Sequence, residues 1–125
     1  KRKRYTCFLR KDTVLPMLYM PDCIKATIDL MKTPPSRVKR HDGYNVTGTS
    51  FSPEQLASEI MKHIPEFRCD YSSDFRQKIA DTWPMSIDDN MARSDRNWKP
   101  MYDLASMVRD MMEKLTNRFA VDQQP

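Results

Sequence analysis

Only two of the 125 residues are glycine, Gly43 and Gly48, and that scarcity limits the architecture before any other feature does. A dinucleotide pyrophosphate is held in a glycine-rich turn between a strand and a helix, where missing side chains let backbone amides approach the phosphates. Neither glycine stands in such a turn, so this chain is not expected to build that cradle. Proline supplies the punctuation instead: Thr33 before Pro34 and Pro35 ends one predicted helix, and Pro65 closes another.

Between these breaks the apolar spacing alternates between strand and helix periods. Tyr5 to Leu9 and Leu15 to Met20 read as short extended runs separated by the polar turn Arg10 to Thr13. Asp22 is expected to cap the following helix, whose buried stripe is Cys23, Ala26, Thr27, Leu30 and Met31. Ser36 to Gly43 is a basic loop, and Tyr44 to Thr47 suggest a strand that turns at Gly48. The strongest local signal follows: Ser52, Pro53 and Gln55 form a capping box, Phe51 and Leu56 a hydrophobic staple, and Leu56, Ala57, Ile60, Met61 and Ile64 an apolar face. Phe67, Cys69 and Tyr71 alternate with Arg68 and Asp70 as in a half-buried strand. Asp74 to Thr82 fits a short helix or a loop. Asp88 or Asp89 would cap a helix through Arg93, and a turn at Trp98, Lys99 and Pro100 would lead into a final helix from about Asp103. There Leu104, Met107, Val108, Met111 and Leu115 recur at helical spacing, so the methionines read as core packing. Thr116 to Pro125 is expected to be a flexible tail. This order is the rhythm of an α/β domain.

Composition removes several functional classes. The formal charge of +4 is carried by the basic run Lys1, Arg2, Lys3 and Arg4, and the rest of the chain is balanced. A nucleic-acid groove needs basic residues spread along a face, so no nucleic-acid partner is expected. Mean hydropathy is −0.74, and the longest apolar stretch, Val14 to Met20, is far short of the roughly 20 residues of a membrane helix. No membrane association is expected. Cys7, Cys23 and Cys69 are odd in number and unpaired in spacing, which predicts free thiols in a reducing compartment. His41 and His63 stand at no ligand spacing from a cysteine, so no metal site is expected.

Four strings carry a more specific signal: LPMLYMPDCIKATIDLM from Leu15, YNVTGTSFSPEQLASEIMKHIPEF from Tyr44, DFRQKIADTWPMSIDDNMARSDRNWKP from Asp74, and YDLASMVRDMM from Tyr102. Together, over roughly Tyr5 to Leu115, they resemble the carboxyl-terminal part of the L-threonine 3-dehydrogenases, a family of extended short-chain dehydrogenases. The resemblance implies the substrate-side portion of an incomplete Rossmann-type fold with a small α+β lobe. It also implies NAD as cofactor of the complete enzyme, bound by an amino-terminal lobe, L-threonine as substrate, 2-amino-3-oxobutanoate as product, a homodimer, and a mitochondrial location in animals. The family's YxxxK pair has no match here, because no tyrosine is followed by lysine four residues later. No catalytic or cofactor-binding residue is therefore expected in this segment, and polypeptide preceding Lys1 is expected to supply them. Asp81, Thr82 and Trp83 are the candidate substrate-pocket residues, since relatives place this stretch beside the cleft; Trp98 is expected to be structural. A non-catalytic remnant acting as a decoy is one alternative. A sugar-nucleotide epimerase or dehydratase segment is another, against which stands Leu15, where nucleotide-sugar relatives carry an arginine.

Overall fold

The computed structural model describes residues 3–121. In chain order they form β1 (Arg4–Cys7), β2 (Leu15–Met17), α1 (Met20–Lys32), a 3-10 turn (Pro35–Arg37), β3 (Thr49–Phe51), α2 (Pro53–His63), β4 (Arg68–Tyr71), α3 (Phe75–Ala80), α4 (Asn90–Arg96) and α5 (Leu104–Val121). β1 and β4 pair in parallel, with Tyr5 opposite Cys69 and Cys7 opposite Tyr71. β2 and β3 pair antiparallel, with Leu15 opposite Phe51. A parallel pair needs a long crossover, and here the whole stretch from β2 to α2 provides it.

α2 forms as its sequence dictates. Ser52 Oγ accepts from the Gln55 amide at 3.3 Å while the Ser52 amide donates to Gln55 Oε1 at 2.8 Å, so two helix-end donors are satisfied reciprocally. Its apolar face lies over the parallel pair, where Leu56, Ala57 and Ile60 meet Tyr5, Cys7, Phe67 and Cys69. α5 packs on the same helix through buried Met107 and Val108. Among the described residues the buried apolar set is small: Cys7, Phe51, Ala57, Ala92, Trp98, Met107 and Val108.

Five expectations are corrected. Asp22 does not cap α1, which starts earlier, at Met20, after Tyr19, a residue that makes no side-chain cap bond. Asp22 instead lies inside the protein at 0% exposure, and its carboxylate accepts the amides of Met101 at 2.8 Å and Tyr102 at 3.1 Å. Of the α1 stripe, Cys23, Ala26, Thr27 and Leu30 line a groove with Trp98, but Leu30 is 40% exposed and Met31, outside the groove, 80% exposed. The strand expected at Tyr44 to Thr47 occurs later, at Thr49–Phe51, because that is where β2 offers a partner. Gly48 sits at the approach: its amide donates to the Met17 carbonyl at 3.1 Å, and a Cβ there would lie 3.0 Å from the same oxygen. Finally, α4 continues past Arg93 to Arg96, and α5 continues past Thr116 to Val121. Asp122 to Pro125 lie outside the described residues, as do Lys1 and Arg2 of the basic run. Its other two members are engaged, Lys3 with Glu66 and Arg4 with Asp70.

The helix ends elsewhere follow local chemistry. Asp74 caps α3 through the Arg76 amide at 2.9 Å. Asp88 accepts the Asn90 amide at 3.0 Å, while Asp89 is buried and holds Arg93 one turn on. α4 stops at Asn97, whose φ of 52° is left-handed, a conformation asparagine tolerates. Asp103 and Ser106 satisfy each other's amides at the start of α5.

Candidate substrate wall

Asp81, Thr82 and Trp83 follow the last residue of α3, and the structure gives them three different jobs. Asp81 is the end of a polar network. Its two oxygens accept from Arg10 at 2.9 and 3.3 Å, and Oδ1 also accepts from Gln77 Nε2 at 2.7 Å. Hydrogen bonds from Gln77 first, and from Arg10 second, hold its carboxyl below the ordinary aspartate range. The Thr82 hydroxyl turns back to donate to the Ile79 carbonyl at 2.7 Å. Trp83 projects outward with 58% of its surface exposed.

Gln77 is the residue that organises this corner. It is buried, its Oε1 accepts the Arg10 amide at 2.7 Å, and its Nε2 donates to Thr13 Oγ1 at 3.0 Å. Thr13 is buried too. The pair thus ties the turn after β1 to the end of α3, and a depression of about 210 Å³ opens between the two segments, lined by Arg10, Asp12, Val14, Asp81, Trp83 and Met85 among others. Its lining mixes charged and apolar side chains. Phe75 and Ile79 of α3 are also exposed. Sequence reasoning named Asp81, Thr82 and Trp83 as candidates but not Arg10, Thr13 or Gln77. Their partners lie more than 60 positions away, a separation no local pattern encodes.

A second polar centre shapes the loop ahead of β3. Asp95 of α4 is buried, and its carboxylate accepts from Lys39 at 3.0 Å, Tyr44 at 3.3 Å and Ser94 at 3.3 Å. The Tyr44 hydroxyl in turn accepts the amides of Lys39 and Arg40. Lys39 is the leading cause that lowers the Asp95 pKa. A depressed folded pKa means a contribution complete above the unfolded value of about 4 and lost as pH falls through the folded value. Asp95→Asn should therefore flatten the acid side of a thermal-stability profile between pH 2 and 6; an unchanged slope would contradict this role.

Neither glycine forms a cradle for a dinucleotide pyrophosphate. Gly48 is used for the approach of β3 to β2, and Gly43, with φ of 138°, has no atom within 4 Å of where a Cβ would stand. Neither opens a helix. Burial pushes the Tyr71 phenol up to about 12, and a hydrogen bond to Asp110 raises that of Tyr19. Among the described residues no three His, Cys, Asp or Glu side chains converge on a metal position, and no helix is long and apolar enough to cross a membrane.

Known proteins similar to this chain include L-threonine dehydrogenases and an uncharacterised epimerase/dehydratase of Staphylococcus haemolyticus, the latter 41% identical over 94% of this chain and 37% of that protein. No family model matches. The mitochondrial L-threonine 3-dehydrogenase of Bos taurus is 44% identical over 113 residues, which cover 90% of this chain and 30% of that protein. The crystal structure of L-threonine dehydrogenase from Phytophthora infestans is 52% identical with a TM-score of 0.90, over 94% of this chain and 38% of that one. The apo form of the GalE-like L-threonine dehydrogenase from Cupriavidus necator is 49% identical with a TM-score of 0.86, over 90% of this chain and 40% of that one. The chain thus spans about a third of the length of these relatives.

Proposed function

The chain matches, along nearly its whole length, the carboxyl-terminal portion of the GalE-like L-threonine 3-dehydrogenases of the extended short-chain type, and we propose that it is the substrate-covering part of such an enzyme. The complete enzyme oxidises the 3-hydroxyl of L-threonine to a ketone, yielding 2-amino-3-oxobutanoate, with hydride passing to NAD and a proton released. In this reading the cofactor and the proton-transferring residues belong to the other lobe, and no step of hydride transfer is assigned to this chain. Mitochondrial location, as in the bovine and porcine relatives, and assembly as a homodimer are properties of that complete enzyme, although one solved relative is monomeric.

The observation that carries the reading is the depression that Arg10, Asp81, Trp83 and Met85 line together. A small zwitterionic amino acid suits such a surface: charge anchors its ends, and an indole excludes water from the rest. The other threonine-side contacts would come from the facing lobe.

The test is to join the chain to the amino-terminal two-thirds of the Phytophthora infestans enzyme in place of its own matching part and follow NADH formation from L-threonine. Turnover is expected from the joined protein and none from the chain alone. In the joined protein, Trp83→Ala should raise KM for threonine about tenfold, the equivalent of ~1.4 kcal/mol of lost contact, with a smaller change in kcat. Threonine oxidation by the isolated chain would overturn the proposal, and an unaltered KM would remove Trp83 from the wall.

A further inference from the structure

The loop between the 3-10 turn and β3 contains Asp42 followed directly by Gly43, the one place in the sequence where a glycine follows an aspartate. An aspartate in that position can react with its own backbone, because the glycine amide nitrogen lies within reach of the side-chain carbonyl carbon. What limits the reaction is how freely the two groups meet. Asp22, Asp81 and Asp89 are not free to meet anything, since donors at 2.7 to 2.8 Å hold their carboxylates. Asp42 differs. Its side chain is 75% exposed, and its contact with Arg40, itself 49% exposed, is 3.5 Å long. An ion pair that long and that wet does not fix a carboxylate.

Gly43 is equally unrestrained. Among the described residues its amide donates to no acceptor. Its φ is 138°, a conformation that costs glycine little, and no atom lies within 4 Å of where a Cβ would stand, so the nitrogen is open to approach. The loop around the pair is closed by a single phenol. Tyr44 Oη accepts the amides of Lys39 at 3.1 Å and Arg40 at 3.3 Å and donates to Asp95 Oδ2 at 3.3 Å, while Arg96 lies 5.5 Å from its ring. The main chain from Arg40 to Tyr44 therefore has a fixed span, and Asp42 and Gly43 sit inside it.

We propose that Asp42–Gly43 is a modification site at which the backbone isomerises spontaneously to isoaspartate, and that the added length opens the loop at Tyr44. The Gly43 nitrogen loses its proton to water and bonds to Asp42 Cγ, and the hydroxyl of the protonated carboxyl leaves as water. The product is a five-membered succinimide. A second water adds to the former main-chain carbonyl and breaks its bond to nitrogen, which frees an α-carboxylate and leaves the chain running through Cβ and Cγ. One water is lost and one is gained, so the mass is unchanged and nothing is oxidised or reduced. The main chain gains one methylene between Arg40 and Tyr44, and the phenol no longer meets both amides and Asp95 together. The step needs no cofactor and is independent of the enzyme reading above.

The intact protein, aged for weeks at neutral pH and then digested with trypsin, tests this. The peptide from His41 to Lys62 has Asp42 as its only aspartate. A second form of that peptide is expected, equal in mass, separable by chromatography and methylated by a protein isoaspartate methyltransferase. Deamidation at Asn45 would raise the mass instead. The second form should accumulate at a rate within about threefold of that in a synthetic peptide of the same sequence. Asp42→Glu, whose longer side chain closes only a six-membered ring, should reduce it at least tenfold. In the isomerised protein the Lys39 and Arg40 amides should exchange at least tenfold faster, with exchange in α2 unchanged as the sign that the fold persists. Accumulation more than tenfold slower than in the peptide, accumulation undiminished in Asp42→Glu, or an isomerised protein whose two amides exchange as before would each overturn the proposal.

Discussion

Replacing Asp22 by alanine should destabilise the protein by roughly 3 kcal/mol, more than any other single polar change. The carboxylate lies in the first turn of α1 with no exposed surface and receives the amides of Met101 and Tyr102, about 80 positions away. A buried amide left without an acceptor costs about 1–3 kcal/mol, and Asp22→Ala orphans two while leaving a void the size of the side chain. In a chain of this length the loss would lower Tm by about 10 °C. The same two bonds fix the turn that launches α5, and Tyr19 and Tyr102, whose rings meet edge to face at 5.0 Å, complete the joint. Asp22→Asn is the informative companion: it keeps the volume but turns a donor toward one amide, so it should fall about halfway. Thermal melts of the three proteins check the ordering. An alanine variant as stable as the parent would mean that the turn finds other acceptors.

Trp98→Ala should be of similar severity, about 4 kcal/mol, in the range for a buried aromatic removed from a core. The indole is buried, its backbone amide donates to the Ala92 carbonyl at 3.1 Å, and its Nε1 donates to Thr47. Lys25 of α1 lies 5.6 Å from the ring centroid. One side chain thus joins α1, the Tyr44–Thr47 segment and the end of α4, and its loss would release all three. Trp98→Phe is the milder companion: one aromatic ring is kept, while the hydrogen bond to Thr47 and the rest of the indole volume are lost, at a cost of about 2 kcal/mol. Urea unfolding with both variants decides it; equal losses would mean that the retained ring does not hold the region.

These two residues also mark where sequence reasoning succeeds and where it stops. Trp98 was legible as structural, because an indole in a turn before an amphipathic helix has little else to do. Asp22 was legible as important but was assigned the wrong partner: an aspartate near the start of a helix has the local signature of a cap, and nothing local distinguishes one that reaches across the fold. The candidate wall divides the same way. Trp83 was named a candidate through resemblance, while Arg10, Thr13 and Gln77 were not, since a glutamine in a polar helix gives no sign of being buried.

What the residues settled unaided were features whose physics is complete within about five positions. The Ser52–Gln55 capping box satisfies its own donors and acceptors within four residues, and Pro34, Pro35 and Pro65 stop their helices through local backbone chemistry. What only the tertiary structure decided was every feature defined by a distant partner. Strand Thr49–Phe51 exists because β2 faces it, and Tyr44–Val46 has strand chemistry without a strand because none of the described residues pairs with it. Asp22 and Gln77 are buried because the groups they bond arrive from the far end of the chain. Hydrogen bonds and apolar burial carry no memory of sequence separation, so a pattern reads only those that close nearby.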